Sequence, residues 1–176
     1  MTQMTQMDPA IEDSKTHKKR DIFTEGPITP GFIAESIAKH ATRTDIGAHE
    51  IFLGQVRADA VQGRTAASAT ALTTDNEQLT TVKAIEYTAY RDMANEQMTS
   101  IREEAFARWP ITCLHVHHSQ GIINAGELCF FVFASSAHRT EAREAVAYVT
   151  DEVKKRLPIF GKEILEDGEH VWKRNV

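Results

Sequence analysis

Several residues in this chain have types and spacings that could carry chemistry. Lys154, Lys155 and Arg156 close one amphipathic stretch, and Lys162 follows just beyond Pro158. His138 and Arg139 open the same stretch. A helix dipole favours cations at its C-terminal end, so the first three need no ligand to explain them. At the N-terminal end the dipole disfavours cations and backbone N–H groups are free. A histidine and an arginine there suit a bound anion. His115 and His117 point to one face of a strand. Such a pair holds zinc only with a third ligand and an open position. With no cysteine or carboxylate at a familiar spacing, they read as sheet histidines, and no metal is expected. Cys113 and Cys129 lie in apolar runs and read as buried thiols.

The elements that must position these groups are legible from periodicity. Val146, Val149, Val153 and Leu157 recur at three- and four-residue steps, which gives a helix one apolar face. Ser135 or Ser136 is the expected cap, and Pro158 is the expected stop. A second helix is expected from about Tyr90 to Arg108, with Ala94, Met98, Ile101 and Ala105 buried and Trp109 closing it before Pro110. A short helix around Ile33, Ile37 and Ala41 has Thr29 as its cap. Strands are expected over 48–57, with Gly54 marking a bulge, and over 82–88 and 111–118. The run 127–134 is apolar enough for a central strand buried on both faces. Gly121 and residues 124–126 read as turns, and Val171 and Trp172 begin a last short strand. Helices and strands intermix without regular βα alternation, so the fold class is α+β.

At 176 residues the chain is long enough for one domain with a substantial core. Residues 1–26 are expected to form a polar tail, 27–176 the domain, and 58–80 a mobile loop insertion. A net charge of −5 argues against a general nucleic-acid or acidic-membrane binder. The longest apolar run, Leu128 to Ala134, is too short to span a bilayer, and the polar N-terminus lacks a signal core. A cytoplasmic location is the default expectation.

A family resemblance rests on several pieces in the right order over about residues 30–173. They are Ser136 with His138 and Arg139, the run from Val153 to Glu163, and the run from Phe52 through Gly54 to Arg57. Ile85 to Tyr87, and His118 with Gly121, Gly126 and Glu127, complete the set. Together these resemble the catalytic large subunit of molybdopterin synthase. The resemblance implies a hammerhead-like α/β domain with an additional antiparallel β-sheet. It implies a sulfurtransferase that converts cyclic pyranopterin monophosphate to molybdopterin. The sulfur would arrive as the C-terminal Gly-Gly thiocarboxylate of a small ubiquitin-like subunit, so no cofactor is expected. A homodimer within a heterotetramer is implied as well.

The residue types fit that implication. Substrate phosphate and thiocarboxylate are both anionic, so a cationic pocket is required. Lys154 matches the family's catalytic lysine. Arg57, His138, Arg139, Phe52 and His118 are the expected substrate-binding residues, and Phe52, Ile159 and Phe160 are the expected lining for the glycine tail. Two departures stand out. The arginine that often follows His118 is Ser119 here. The first of two basic positions after the Pro-aromatic segment is Gly161, which leaves Lys162 as the second catalytic candidate. Lys162 substitutes only if Gly161, with backbone angles closed to lysine, redirects the chain, or if the long lysine stem reaches around. A non-catalytic homologue that binds the ubiquitin-like partner without transferring sulfur is the alternative.

Overall fold

The structure is a computed structural model that describes residues 21–65 and 79–172. Its elements in chain order are β1 (Phe23–Glu25), α1 (Pro30–Ala38), β2 (Ala48–Gln55), β3 (Ala60–Thr65) and β4 (Leu79–Ala89). They continue with α2 (Arg91–Arg108), β5 (Ile111–Asn124), β6 (Leu128–Ser136), α3 (Arg139–Arg156), β7 (Ile159–Leu165) and β8 (His170–Trp172). The main sheet path runs β2-β6-β5-β4-β7-β8, with β1 beside β5 and β3 beside β4. Helices and mostly antiparallel strands are intermixed, as expected of an α+β chain.

β6 is the centre of the first half of the sheet. From Cys129 to Ser136 every residue is buried. Its alternate side chains serve two layers. Phe130, Val132 and Ala134 join the main core with Val146, Val149 and Val153 of α3 and Ala94, Met98, Ile101 and Ala105 of α2. Phe131 and Phe133 join a smaller cluster on the other face, with Ile28, Phe32 and Ile33 around α1. Burying a phenylalanine-sized side chain is worth roughly 1.5–3 kcal/mol, so a strand apolar on both sides obliges helices to cover both.

β5 changes partners along its length. Its first half pairs with β6, from Ile111 opposite Ser136 to His118 opposite Phe130. Residues 118–120 pair in parallel with β1, and 121–124 pair with β4. Gly121 lies inside this strand at φ 80°, where the edge passes from β1 to β4, and so is not the expected turn. The tight turn between β5 and β6 is made by Gly126 at φ 89°, with Glu127 Oε2 accepting from the Asn124 N–H at 2.7 Å.

Other expectations shift. The domain begins before Pro27: Ile22 and Phe23 are buried, β1 pairs with β5, and Arg91 bonds Asp21 at 2.5 Å. Two apolar residues and a long-range ion pair outweigh the polar composition that read as tail. The rest of that expected tail, residues 1–20, lies outside the described residues. The expected loop over 58–80 carries β3 and the start of β4, which pair as antiparallel strands, while residues 66–78 lie outside the described residues. The short Ala- and Thr-rich strand flanks show no period that sequence reading could use. Ser135 and Ser136 are strand residues, and His138 is the N-cap of α3 without a side-chain capping bond. Thr29 does cap α1, accepting from the Phe32 N–H at 3.2 Å. Gly54 does mark an irregularity, with a register shift between Gly54 and Gln55.

Glycines at two positions test this packing with opposite signs. A Cβ on Gly47 would sit 2.3 Å from the Ala137 carbonyl oxygen, where β2 meets the approach to α3. Gly47→Ala is expected to lower unfolding free energy by about 1–3 kcal/mol. At Gly31, exposed in α1, the nearest atom would be 3.9 Å away. Gly31→Ala is expected to raise it by about 0.5–1 kcal/mol. Urea denaturation of both variants measures the contrast.

Candidate active site

α3 carries cations at both ends, and their surroundings differ. At its C-terminal end Lys155 pairs with Glu152 at 3.2 Å. Arg156 pairs with Glu104 of α2 at 2.9 Å and with Glu152 at 3.6 Å. Lys154 is exposed and, among the described residues, has no acidic partner. Glu104 of α2 and Glu152 of α3 itself thus occupy two of the three last-turn cations and leave Lys154 available. At the other end His138 and Arg139 are both exposed. The Ser136 hydroxyl donates to the His138 carbonyl, which fixes the chain as it leaves β6.

These two ends do not meet within one molecule. A rise of ~1.5 Å per residue puts Arg139 and Lys154 about 22 Å apart along α3. α3 runs back over β6 and β2, so its C-terminal end lies toward the Leu128–Gln55 end of the sheet. Arg57 leaves β2 at that same end. Its guanidinium is engaged by Asp59 at 2.6 Å, with both side chains largely exposed. An exposed pair of this kind is worth about 0–1 kcal/mol, so an anionic ligand can displace Asp59 at little cost.

Phe52 packs edge-on against Phe130, with ring centroids 5.7 Å apart. It also lines a groove of about 310 Å³ between β2 and α3, with Val146, Thr150, Arg143, Glu50 and Asp151. Phe130 continues to His118 at 5.5 Å, and His118 to Tyr87 at 5.0 Å. The Tyr87 hydroxyl donates to Cys129 Sγ at 3.5 Å, and Cys129 Sγ donates to the Gly54 carbonyl at 3.5 Å. Burial pushes the Tyr87 phenol well above its ordinary value, with the Cys129 sulfur adding to the effect. Phe52 and His118 are therefore brought together through a packed aromatic row.

His118 is a wall rather than a charge. It is buried, and burial lowers its pKa, partly offset by the bond between Nδ1 and the Ser119 carbonyl at 2.9 Å. A carbonyl only accepts, so Nδ1 carries a proton, and burial favours the neutral ring with Nε2 unprotonated. A full positive charge on His118 for a bound anion is not available at neutral pH. Ser119, where an arginine was the family expectation, is fully buried, and its hydroxyl has no partner among the described residues.

Lys162 lies in β7, opposite Glu86 of β4 and Trp172 of β8. Its amine is 4.0 Å from Glu86 Oε2. Gly161 is part of the regular β7 strand opposite Tyr87 and is not among the glycines at positive φ. The expected redirection of the chain at Gly161 does not occur, because strand pairing with β4 resumes directly after Pro158. Phe160 lines a second concavity with Thr88, Tyr90 and Trp172, so Phe52 and Phe160 do not form one lining. The residues that sequence reading missed are Glu104, which engages Arg156, and Glu86, which faces Lys162 across β4 and β7. Their signal is tertiary, since both partners lie on other elements.

Fold and charge placement define a class: a mixed sheet-and-helix domain with cationic positions at separate ends of one helix. Among known proteins, the family model described as MoaE protein matches residues 28–156. The chain belongs to this MoaE protein family. A molybdopterin synthase catalytic subunit from Pyrococcus abyssi is 37% identical over 137 residues, 78% of this chain and 80% of that protein. One from Oryza sativa subsp. indica is 46% identical over 94 residues, and the chain spans about half of its length (48%). The crystal structure of molybdopterin synthase from Staphylococcus aureus superposes with a TM-score of 0.67 at 25% identity, covering 88% of this chain and 96% of that one.

The buried neutral His118 sets an acid limit on stability. Its folded pKa lies below the unfolded value of about 6.5, so the unfolded chain takes up the proton first as pH falls. Stability is complete above about 6.5 and declines below it, by at most about 1.4 kcal/mol per pH unit for this group. Chemical denaturation across that range should show the decline, and His118→Gln should make it shallower, with His117 and His49, also lowered by burial, supplying the remainder.

Proposed function

We propose that this chain is the catalytic subunit of a molybdopterin synthase. The reaction transfers sulfur from the C-terminal Gly-Gly thiocarboxylate of a small ubiquitin-like subunit to cyclic pyranopterin monophosphate, twice, giving molybdopterin. The observation that carries this reading is Lys154. It matches the family's catalytic lysine and is the one last-turn cation of α3 without an acidic partner among the described residues. There its ammonium neutralises the incoming thiocarboxylate and stabilises the oxyanion formed on attack. Arg57, at the same end of the sheet, supplies a planar fork for phosphate. Lys162 is a weaker second candidate, because Glu86 competes for its amine. No helix among the described residues is long and apolar enough to cross a membrane. We assign the reaction to the cytoplasm.

His138 and Arg139 serve the same reaction only from a second copy. The two ends of α3 are about 22 Å apart. In the homodimer that we assign, one copy presents His138 and Arg139 beside Lys154 of the other, within a heterotetramer completed by two small subunits. A second reading, binding of the ubiquitin-like partner without sulfur transfer, is favoured by Gly161 lying in a regular strand with no basic side chain.

Purified components separate the two readings. Mixing this protein with thiocarboxylated partner and cyclic pyranopterin monophosphate is expected to yield dithiolene product. Partner binding with no product supports the non-catalytic reading. Lys154→Ala is expected to abolish turnover while leaving partner affinity within about threefold, a change of well under 1.4 kcal/mol.

Complementation tests the shared pocket. Lys154→Ala and Arg139→Ala homodimers are each expected to be inactive. Hybrids made by mixing them contain one pocket with both residues intact and regain product formation. Absence of recovery in verified hybrids assigns both residues to the same copy's site.

A further inference from the structure

On the face of the sheet away from α2 and α3, a group of nitrogen and sulfur donors surrounds the buried Ser135. His40 comes from the turn after α1, Cys113 and His115 from alternate positions of β5, and His49 from β2. The donor atoms of His40, Cys113 and His115 all lie within 4.8 Å of one another. From these positions we propose that His40, Cys113 and His115 form a binding site for a Zn²⁺-class transition-metal cation, with His49 or water as the fourth ligand.

His40, Cys113 and His49 are already oriented by second partners, as ligands of a metal site generally are. His40 Nδ1 donates to the Ser36 carbonyl at 2.9 Å. That fixes the tautomer and leaves the Nε2 lone pair for a cation. Cys113 Sγ donates to Ser135 Oγ at 3.2 Å, and His49 Nδ1 lies 2.7 Å from the same oxygen. Ser135 is fully buried, so this one hydroxyl holds the cysteine from β5 and the histidine from β2 in fixed relation. The His40 ring is 5.2 Å from the His115 ring and 5.9 Å from the His49 ring.

The donor set selects the cation. One thiol and two or three imidazoles, with no carboxylate among them, suit Zn²⁺ and its neighbours rather than Mg²⁺ or Ca²⁺. Tetrahedral bonds of ~2.0–2.3 Å place donors about 3.3–3.7 Å apart, so the group needs contraction on the order of 1 Å. His40 sits on a partly exposed turn and can supply it. Burial pushes the Cys113 thiol above its ordinary value, so without a cation it stays protonated. Cation binding displaces that proton and leaves a thiolate–metal bond.

His117, the other half of the pair visible in the sequence, is elsewhere. It packs against Phe32 at 4.7 Å and Phe131 at 6.1 Å. The partner of His115 is instead Cys113, two residues before it on the same strand face. The consequence for the fold is a tie between the end of α1 and β5, at a corner where α1 otherwise holds the sheet through a small aromatic cluster. This site lies on the opposite sheet face from Phe52, Phe130 and His118, and its existence is independent of the proposed sulfur transfer.

Titration of the full chain with Co²⁺, followed by Zn²⁺, tests the site without any activity assay. A single equivalent of Co²⁺ is expected to bind with a thiolate-to-metal charge-transfer band and tetrahedral ligand-field bands, and Zn²⁺ should displace it. Cys113→Ser, a near-isosteric change, should remove the charge-transfer band. His40→Ala and His115→Ala should each weaken affinity about 100-fold or more, and Ser135→Ala about tenfold. His170→Ala, away from the cluster, should change nothing. Zn²⁺ should raise the Tm of the wild-type chain and not that of Cys113→Ser. Should His115→Ala fail to fold, Cys113→Ser and His40→Ala decide the matter. No cobalt band, a band that persists in Cys113→Ser, or unchanged affinity in His40→Ala overturns the site and leaves these residues as packing around Phe133.

Discussion

The burial of β6 on both faces governs the rest of the structure. A strand apolar on each side cannot leave either side in water, so the chain must supply two covers. α3 and α2 cover one side through Val132 and Ala134, and α1 covers the other through Phe131 and Phe133. Because α3 follows β6 directly and must lie back over it, its two ends are pinned to opposite ends of the sheet. The length of α3 alone separates Lys154 from His138 and Arg139 by about 22 Å, and the packing fixes which end of the sheet each reaches. Within one molecule the two cationic groups therefore stay apart.

Electrostatics then selects within each group. Three cations in the last turn of α3 are equivalent to the helix dipole. Glu104 on α2 and Glu152 on α3 itself engage Arg156, Glu152 also engages Lys155, and no described acid takes Lys154. The same logic demotes Lys162, which β7 presents to Glu86 of β4. His118 illustrates the converse. Its place between Tyr87 and Phe130 excludes water and keeps it neutral, so it shapes the aromatic row from Phe52 without contributing charge.

The other face of β6 has its own logic. Strand alternation sends Cys113 and His115 to the face opposite Phe52, Phe130 and His118. That face is covered by only a nine-residue helix, and His40 lies in the turn just after it, beside Cys113 and His115.

Much of this was legible in the sequence. The buried stripes of α2 and α3, the Thr29 cap, the irregularity at Gly54 and the doubly buried strand followed from local periodicity and backbone chemistry. The run around Lys154 carried the family resemblance for the same reason, since it is one contiguous segment. What only the tertiary structure decided involves groups distant along the chain. β1 was hidden because Ile22 and Phe23 are too few to show a period and gain their burial from β5. The regular path through Gly161 was set by pairing with β4, which no local signal announces. The distance between the two ends of α3 was already implied by the helix length, and only packing decided which end of the sheet each one reaches. His115 likewise suggested His117 as its partner by strand alternation, while the fold sets it near Cys113 and His40 and packs His117 against Phe32 and Phe131. Spacing fixes which face a residue shares, and packing alone fixes what stands across from it.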